Sequence, residues 1–421
     1  MRTRNIILLI IVLATIISGV YGFFYFRKPK PIAPLPEEET NFVASLWPFG
    51  KNESNQENNP EISTGEEVKT GVDEETTVKD IKLKKISSSP VAGYGVFLKE
   101  RYGETEAEKA PFVRYADKIY GNIFQTFADN IKETKFSITV IPKLYEAYLG
   151  GSGDSVIMRY LKEDGKTIET YNGLLPKEVL GGDSLGVNEL SGSYMPDDIL
   201  FLSLSPDLSK IFYLLPIGEG VVGVTTYIDG SNKNQVFDSP FKEWLPQWAN
   251  ERMITLTTKA SYGVLGYVYA IDPLTKDFYK IMDGVDGLTT LTSPSGKLIL
   301  YSNNFLSTNI YNIDTKQNIS VGVKTLPEKC VWSEDSALLY CAVPDLVLGS
   351  LYPDVWYQGE VSFSDKIWKI DPTNGNASLL QSVSGLVGGE KIDAINLKID
   401  QTEKYLFFMN KNDSQLWMLE L

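Results

Sequence analysis

A two-strand phrase recurs along this chain, and it limits the fold more than any other feature. Its clearest copy runs from Ser293 to Asp314. The turn Ser293-Pro294-Ser295-Gly296 feeds the apolar run Leu298-Ile299-Leu300-Tyr301, a polar gap follows, and Ile310-Tyr311-Asn312-Ile313-Asp314 closes the unit. Pro, Asp, Ser and Gly supply turn geometry, and β-branched and aromatic residues supply strands. The first half returns at Ser205-Pro206-Asp207 before Ile211-Phe212-Tyr213, at Ser333-Glu334-Asp335 before Leu338-Leu339-Tyr340, and at Asp400-Gln401-Thr402 before Tyr405-Leu406-Phe407. The second half returns as Tyr227-Ile228-Asp229, Tyr269-Ala270-Ile271-Asp272, Trp368-Lys369-Ile370-Asp371 and Trp417-Met418-Leu419-Glu420. Its closing acids, at 229, 272, 314, 371 and 420, stand 42 to 57 residues apart. Four-stranded propeller blades repeat at roughly 40–45 residues, and insertions lengthen single blades. No helical segment separates the strands, which argues against a parallel α/β sheet.

The expected fold is therefore all-β, a seven-bladed β-propeller over residues 81–421, with six and eight the neighbouring counts. The chain stops on Leu416-Trp417-Met418-Leu419-Glu420-Leu421, a third-strand phrase with no fourth strand after it. Ile81-Lys82-Leu83-Lys84-Lys85-Ile86 alternates like an edge strand, so it is expected to complete the last blade and remove an open edge. The first two blades match the phrase poorly. The first is placed on Val91–Phe97, Phe112–Tyr115, Asn122–Phe127 and a strand near Phe136, and the second on Ile141–Leu175.

Ser-Pro-Asp followed by Lys210-Ile211 and an aromatic strand, together with the Ile-Asp-Pro endings at Asp272 and Asp371, resembles the WD40-like blades of TolB-type propellers. The resemblance covers residues 80–421 and implies the blade. TolB-like proteins carry an α/β domain ahead of the propeller that finds no room in this sequence, so a TolB role is not implied.

Two segments precede the propeller. Residues 1–30 read as a transmembrane signal-anchor: Ile6 to Phe26 is uncharged and long enough to span a bilayer core as a helix. A cleaved signal peptide is the alternative, with Val20-Tyr21-Gly22 as its poor cleavage site. The aromatic run Phe23-Phe24-Tyr25-Phe26 before Arg27, Lys28 and Lys30 favours the interfacial end of a retained anchor. The expectation is a single-pass cell-membrane protein with its propeller on the extracytoplasmic side. Residues 31–80 read as a disordered acidic linker. Between Glu37 and Glu75 eleven acids face only Lys51 and Lys69, a large part of the net charge of −14. Such composition cannot bury enough apolar surface to order itself, and about 50 residues of it reach on the order of 40 Å. Phe42, Leu46, Trp47 and Phe49 form an apolar island within it, read as an incidental cluster in preference to a docking peptide.

Binding residues on such scaffolds concentrate in loops. Blade-to-blade connections and second-to-third-strand loops share one face. Pro176 to Asp198 is expected to connect blades two and three, and Pro344 to Asp365 to interrupt blade six between its second and third strands. The second insertion supplies the candidate binding residues Tyr352, Asp354, Trp356, Tyr357, Gln358 and Glu360, since aromatics with polar neighbours typify recognition surfaces. The competing reading has the aromatics folding back over a blade or the channel. Cys330 and Cys341 flank the turn around Asp335 symmetrically, so a hairpin would oppose them; a disulfide and two buried thiols are the alternatives.

Most chemistry is excluded. The chain has no histidine, which removes the usual general base, the Ser-His-Asp triad and imidazole ligation. Gly182-Asp183-Ser184-Leu185-Gly186 matches the nucleophile-elbow pattern but lacks the strand-to-helix context, and reads as a loop. Asp229-Gly230-Ser231-Asn232 and Asp371-Pro372-Thr373-Asn374-Gly375 carry oxygen ligands suited to Ca²⁺, yet Asp and Asn there more often cap hairpin turns. No cofactor, metal or catalytic residue is assigned. The acidic balance disfavours nucleic acid. The expected role is a membrane-anchored binding module for a protein, peptide or glycan. The alternatives are a carboxylate- or metal-dependent hydrolase or lyase in the central channel, and a spacer without a specific ligand.

Overall fold

The computed structural model describes residues 82–102, 107–176, 188–382 and 391–421. These fold into seven antiparallel sheets of four strands each, the arrangement of a seven-bladed propeller. The first strand in the chain, β1 (Leu83–Lys85), belongs to the last blade. Blade one is β2 (Val91–Tyr102), β3 (Ala107–Asp117), β4 (Ile123–Phe127) and β5 (Thr134–Lys135). Blade two is β6 (Leu144–Gly150), β7 (Ser155–Leu161), β8 (Ile168–Leu174) and β9 (Ser191–Tyr194). Blade three is β10 (Phe201–Leu204), β11 (Lys210–Ile217), β12 (Gly220–Tyr227) and β13 (Asn234–Ser239). Blade four is β14 (Trp244–Asn250), β15 (Met253–Thr258), β16 (Leu265–Ile271) and β17 (Phe278–Asp286). Blade five is β18 (Thr289–Thr292), β19 (Leu298–Ser302), β20 (Ser307–Asn312) and β21 (Asn318–Lys324). Blade six is β22 (Cys330–Trp332), β23 (Leu339–Pro344), β24 (Asp365–Ile370) and β25 (Ala377–Ser382). Blade seven is β26 (Ala394–Ile399), β27 (Tyr405–Asn410), β28 (Leu416–Glu420) and, on its outer edge, β1.

The closure expected from the sequence is present. Leu83 stands opposite Leu419, Lys84 opposite Met418 and Lys85 opposite Trp417. The first described strand thus shares a sheet with the last, and the third strand of blade seven is no longer an edge. The acids that close the repeat phrase follow, or in Glu420 end, the third strands β12, β16, β20, β24 and β28.

The core lies between blades. Each of the seven junctions carries its own buried apolar cluster, and an eighth sits beneath the blade-six insertion. A four-stranded sheet alone buries too little, so each blade depends on its two neighbours. The packing is close at the hub. A Cβ added to Gly93 on β2 would fall 1.8 Å from the Ala147 carbonyl oxygen on β6, so only glycine allows the inner strands of blades one and two to approach this way.

The expected connection from Pro176 to Asp198 needs correcting. Ser191–Tyr194 is β9, the outer strand of blade two, paired with β8 from Tyr171↔Tyr194 to Leu174↔Ser191. All four of its residues are exposed, so it carries no apolar signature. The long segment therefore connects the third and fourth strands of blade two instead of joining two blades. The described residues include no helix long and apolar enough to cross a membrane. Ile6–Phe26, the linker with its apolar island, and Gly182–Gly186 lie outside the described residues.

Candidate functional site

In this meander, first-to-second and third-to-fourth-strand turns fall on one face of the ring, and second-to-third-strand loops and blade junctions on the other. The blade-six insertion, residues 345–364 between β23 and β24, belongs to the second face. It contains one short helix, α1 (Asp354–Tyr357). Its apolar side chains point inward: Tyr352, Val355, Trp356 and Phe363 pack with Leu306 of blade five and Leu326 of the next junction. Asp354 crosses to blade four, where its carboxylate accepts bonds from Ser261 Oγ at 3.0 Å and the Tyr262 backbone N–H at 2.5 Å. Lys411 of blade seven donates to the Trp356 carbonyl at 2.6 Å. The insertion therefore forms a cover pinned to blades four to seven.

The six residues singled out in the sequence are divided by this arrangement. Tyr352 and Trp356 are buried, Asp354 is the pin, and Tyr357, Gln358 and Glu360 are exposed. Tyr357 sits at the channel mouth, its hydroxyl donating to Glu328 Oε1.

Beneath the cover lies a charged cluster that no local pattern announced. Lys329, in a 3-10 turn at Pro327–Lys329, is fully buried. Its ammonium contacts Asp365 Oδ2 at 2.8 Å, pairs with Asp393 Oδ1, and donates to the Ala394 carbonyl at 2.9 Å. The rings of Trp356 and Phe363 flank it, with centroids at 5.4 and 5.5 Å. The other Asp393 oxygen accepts from Trp356 Nε1 and the Phe363 N–H, both at 3.0 Å. Burial pushes the Asp365 carboxyl up to about 6 against the pull of Lys329. Two buried carboxylates invite a cation, and here the cation is a lysine of the chain itself. Among the described residues no group of three or more acids or cysteines is placed to hold a metal. Asp229 and Asp371 use their carboxylates within their turns, on the backbone N–H groups of Ser231 and Thr373, both at 2.8 Å.

The channel holds a cavity of about 350 Å³. Five blades and one junction contribute to its wall: Glu146, Tyr148 and Arg159 of blade two, Phe201 and Leu202 of blade three, Leu245, Pro246 and Gln247 of blade four, Thr290 of blade five, Glu328 before blade six and Asn396 of blade seven. Several of these polar groups join neighbouring blades. Arg159 pairs with Glu146 at 2.5 Å and donates to the carbonyls of Ile199 and Leu200 at the entry to blade three. Gln247 Nε2 donates to the Thr290 carbonyl at 2.7 Å, and its oxygen accepts from the Thr292 N–H at 2.8 Å. Tyr148 donates to Glu146 Oε1 at 2.5 Å. Glu328 differs: burial raises its carboxyl above the ordinary range, the Tyr357 bond and Lys329 oppose the rise, and its Oε2 is buried with no donor among the described residues.

Exposed apolar side chains crowd the loops of the covered face. Blade one shows Ile119 and Tyr120, the junction after it Ile138 and Val140, and the junction after blade three Phe241. Blades four and five show Tyr262, Val264, Leu265 and Phe305, and the cover adds Leu346, Leu348, Leu351 and Tyr357. On the opposite face Leu274 stands clear in a turn, and Leu174, Tyr227 and Phe278 are exposed at the strand ends, fewer than on the covered face among the described residues.

Cys330 and Cys341, opposed in register on β22 and β23, form a disulfide. No family model matches the chain, and no curated protein matches it. Among solved structures it is similar to an oligogalacturonate lyase of Vibrio parahaemolyticus, with a TM-score of 0.46, 8% identity, and coverage of 78% of this chain and 98% of that one. It is also similar to an oligogalacturonate lyase in complex with manganese, with a TM-score of 0.44, 9% identity, and coverage of 79% and 98%.

Proposed function

We propose that this chain is a membrane-anchored, extracytoplasmic binding module whose covered loop face docks a protein partner. The observation that carries the reading is the uneven distribution of exposed apolar side chains, which gather on the loops of that face, from Tyr120 through Phe241 and Phe305 to Leu348. Contiguous exposed apolar surface on a folded domain marks interaction sites. Tyr357, Gln358 and Glu360 lie on the same face and would contribute to its rim, while Tyr352, Asp354 and Trp356 hold the cover in place. The TolB-like blade and the apolar segment Ile6–Phe26 agree with an anchored propeller outside the cytoplasm. Capture of cross-linked partners from the native membrane fraction, with Phe241→Ser/Phe305→Ser as control, tests the reading. The variant should keep its fold and lose the captured protein; equal capture by both chains would end it.

A second reading has one observation of its own. Glu146 and Glu328 place two carboxyls in the channel wall beside Tyr148 and Tyr357. Acid–base work by a hydrolase or lyase uses such groups. Turnover of a substrate panel that is abolished in Glu328→Gln and untouched in the Phe241/Phe305 variant would select it.

A further inference from the structure

We propose that the channel cavity binds a primary ammonium group carried on a short aliphatic stem. The site lies in the channel rather than on the apolar loops, and Tyr357 touches both. Its charge decides the ligand class. Arg159 and Glu146 in the wall are paired to each other at 2.5 Å. Lys329, next in the chain to Glu328, is held by Asp365 and Asp393. Glu328 is the acid left uncompensated in the lining. One of its oxygens receives the Tyr357 hydroxyl, and the other is buried without a donor among the described residues. An ammonium in the cavity supplies the opposite charge to this acid without displacing an existing ion pair.

The far wall fits the stem. Phe201 of blade three and Leu245 and Pro246 of blade four line the cavity across the ring from Glu328. A volume of about 350 Å³ suits one small ligand. An anion would meet Glu328 unfavourably, and a sugar would leave the apolar wall unused. The same chemistry comes from a free alkylamine or from a lysine side chain of a polypeptide.

Calorimetry on the purified full chain tests this with n-butylammonium, with butanol as its uncharged twin, and with a short lysine-containing peptide. n-Butylammonium should bind, with butanol weaker by about tenfold or more, as expected for one charge-assisted bond. Glu328→Gln should lose a similar factor while keeping a cooperative melting transition. Leu245→Trp, which fills the cavity from the opposite wall, should lose binding without touching the acid, and decides the matter if the first variant misfolds. Binding of the peptide in preference to the amine identifies a polypeptide lysine as the ligand, and the reverse identifies a free amine. Failure of both ligands, equal affinity for butanol, or wild-type binding by Leu245→Trp would overturn the proposal.

Discussion

Asp354 Oδ1 accepts a hydrogen bond from Ser261 Oγ at 3.0 Å, joining loops 93 residues apart in sequence and two blades apart in the ring. The neighbouring Tyr262 N–H binds the second carboxylate oxygen. This contact is the cover's attachment to blade four. Asp354→Ala should free that end of the insertion while Trp356 and Phe363 keep the other end packed. Global stability should fall by about 1 kcal/mol, the worth of such bonds. Limited proteolysis should speed up between 345 and 360, and unchanged cleavage would show that the pin does not restrain the cover.

Lys329 is the cation between two buried carboxylates, so its removal is expected to cost far more than an exposed pair would. Lys329→Met leaves Asp365 and Asp393 buried together without it. The expected loss is about 3–5 kcal/mol in denaturant unfolding, the usual result of breaking a buried pair from one side. Part of that loss should return on acidification, as the carboxyls take up protons. A loss below 1 kcal/mol would mean that water reaches the cluster.

Asp365 gives the wild-type domain a pH dependence of definite sign. Its carboxyl titrates at about 6 when folded, raised chiefly by burial, and near the ordinary value of about 3.9 when unfolded. Between these values the folded state holds the extra proton, so stability falls as pH rises from about 4 to about 6. Glu328, also raised by burial, acts in the same direction. Asp229, Asp335 and Asp371, lowered by their side-chain bonds to Ser231, Ser333 and Thr373, act oppositely and only in more acidic solution. Melting temperature should therefore be higher at pH 5 than at pH 7, with Asp365 contributing on the order of 1–3 kcal/mol. In Asp365→Asn the difference should shrink; an unaltered slope would assign it elsewhere.

Leu83 tests the closure. It is 5% exposed and packs among Leu406, Trp417 and Leu419. Leu83→Asp places a charge in that cluster and should cost about 3 kcal/mol. It should also promote association between copies, since β28 becomes an available edge. A monomer of wild-type stability would contradict the pairing.

The blades were legible because their second and third strands are buried on both faces and so carry long apolar runs. Outer strands bury little, and Ser191–Tyr194, exposed at every position, reads as a loop in the sequence for that reason. The aromatic insertion could be found, but not its direction, since Trp356 looks the same whether it faces solvent or Asp393. The charged cluster was illegible because Lys329, Asp365 and Asp393 lie up to 64 residues apart and meet only through the ring. Lys329 left one faint trace, a charge immediately ahead of the strand Cys330–Trp332. Glu328 left less, because an acid beside a lysine in a turn is ordinary surface composition.

One sheet of this ring joins a strand that precedes blade one to the strands of blade seven. The β1–β28 pairing cannot form until β28 has been made, so the ring stays unsealed while blades one to six are synthesised. A chain ended early by a stop codon or a nick keeps most of its blades yet presents a raw seam. The seam between β1 and β28 thus separates a closed ring from an open one.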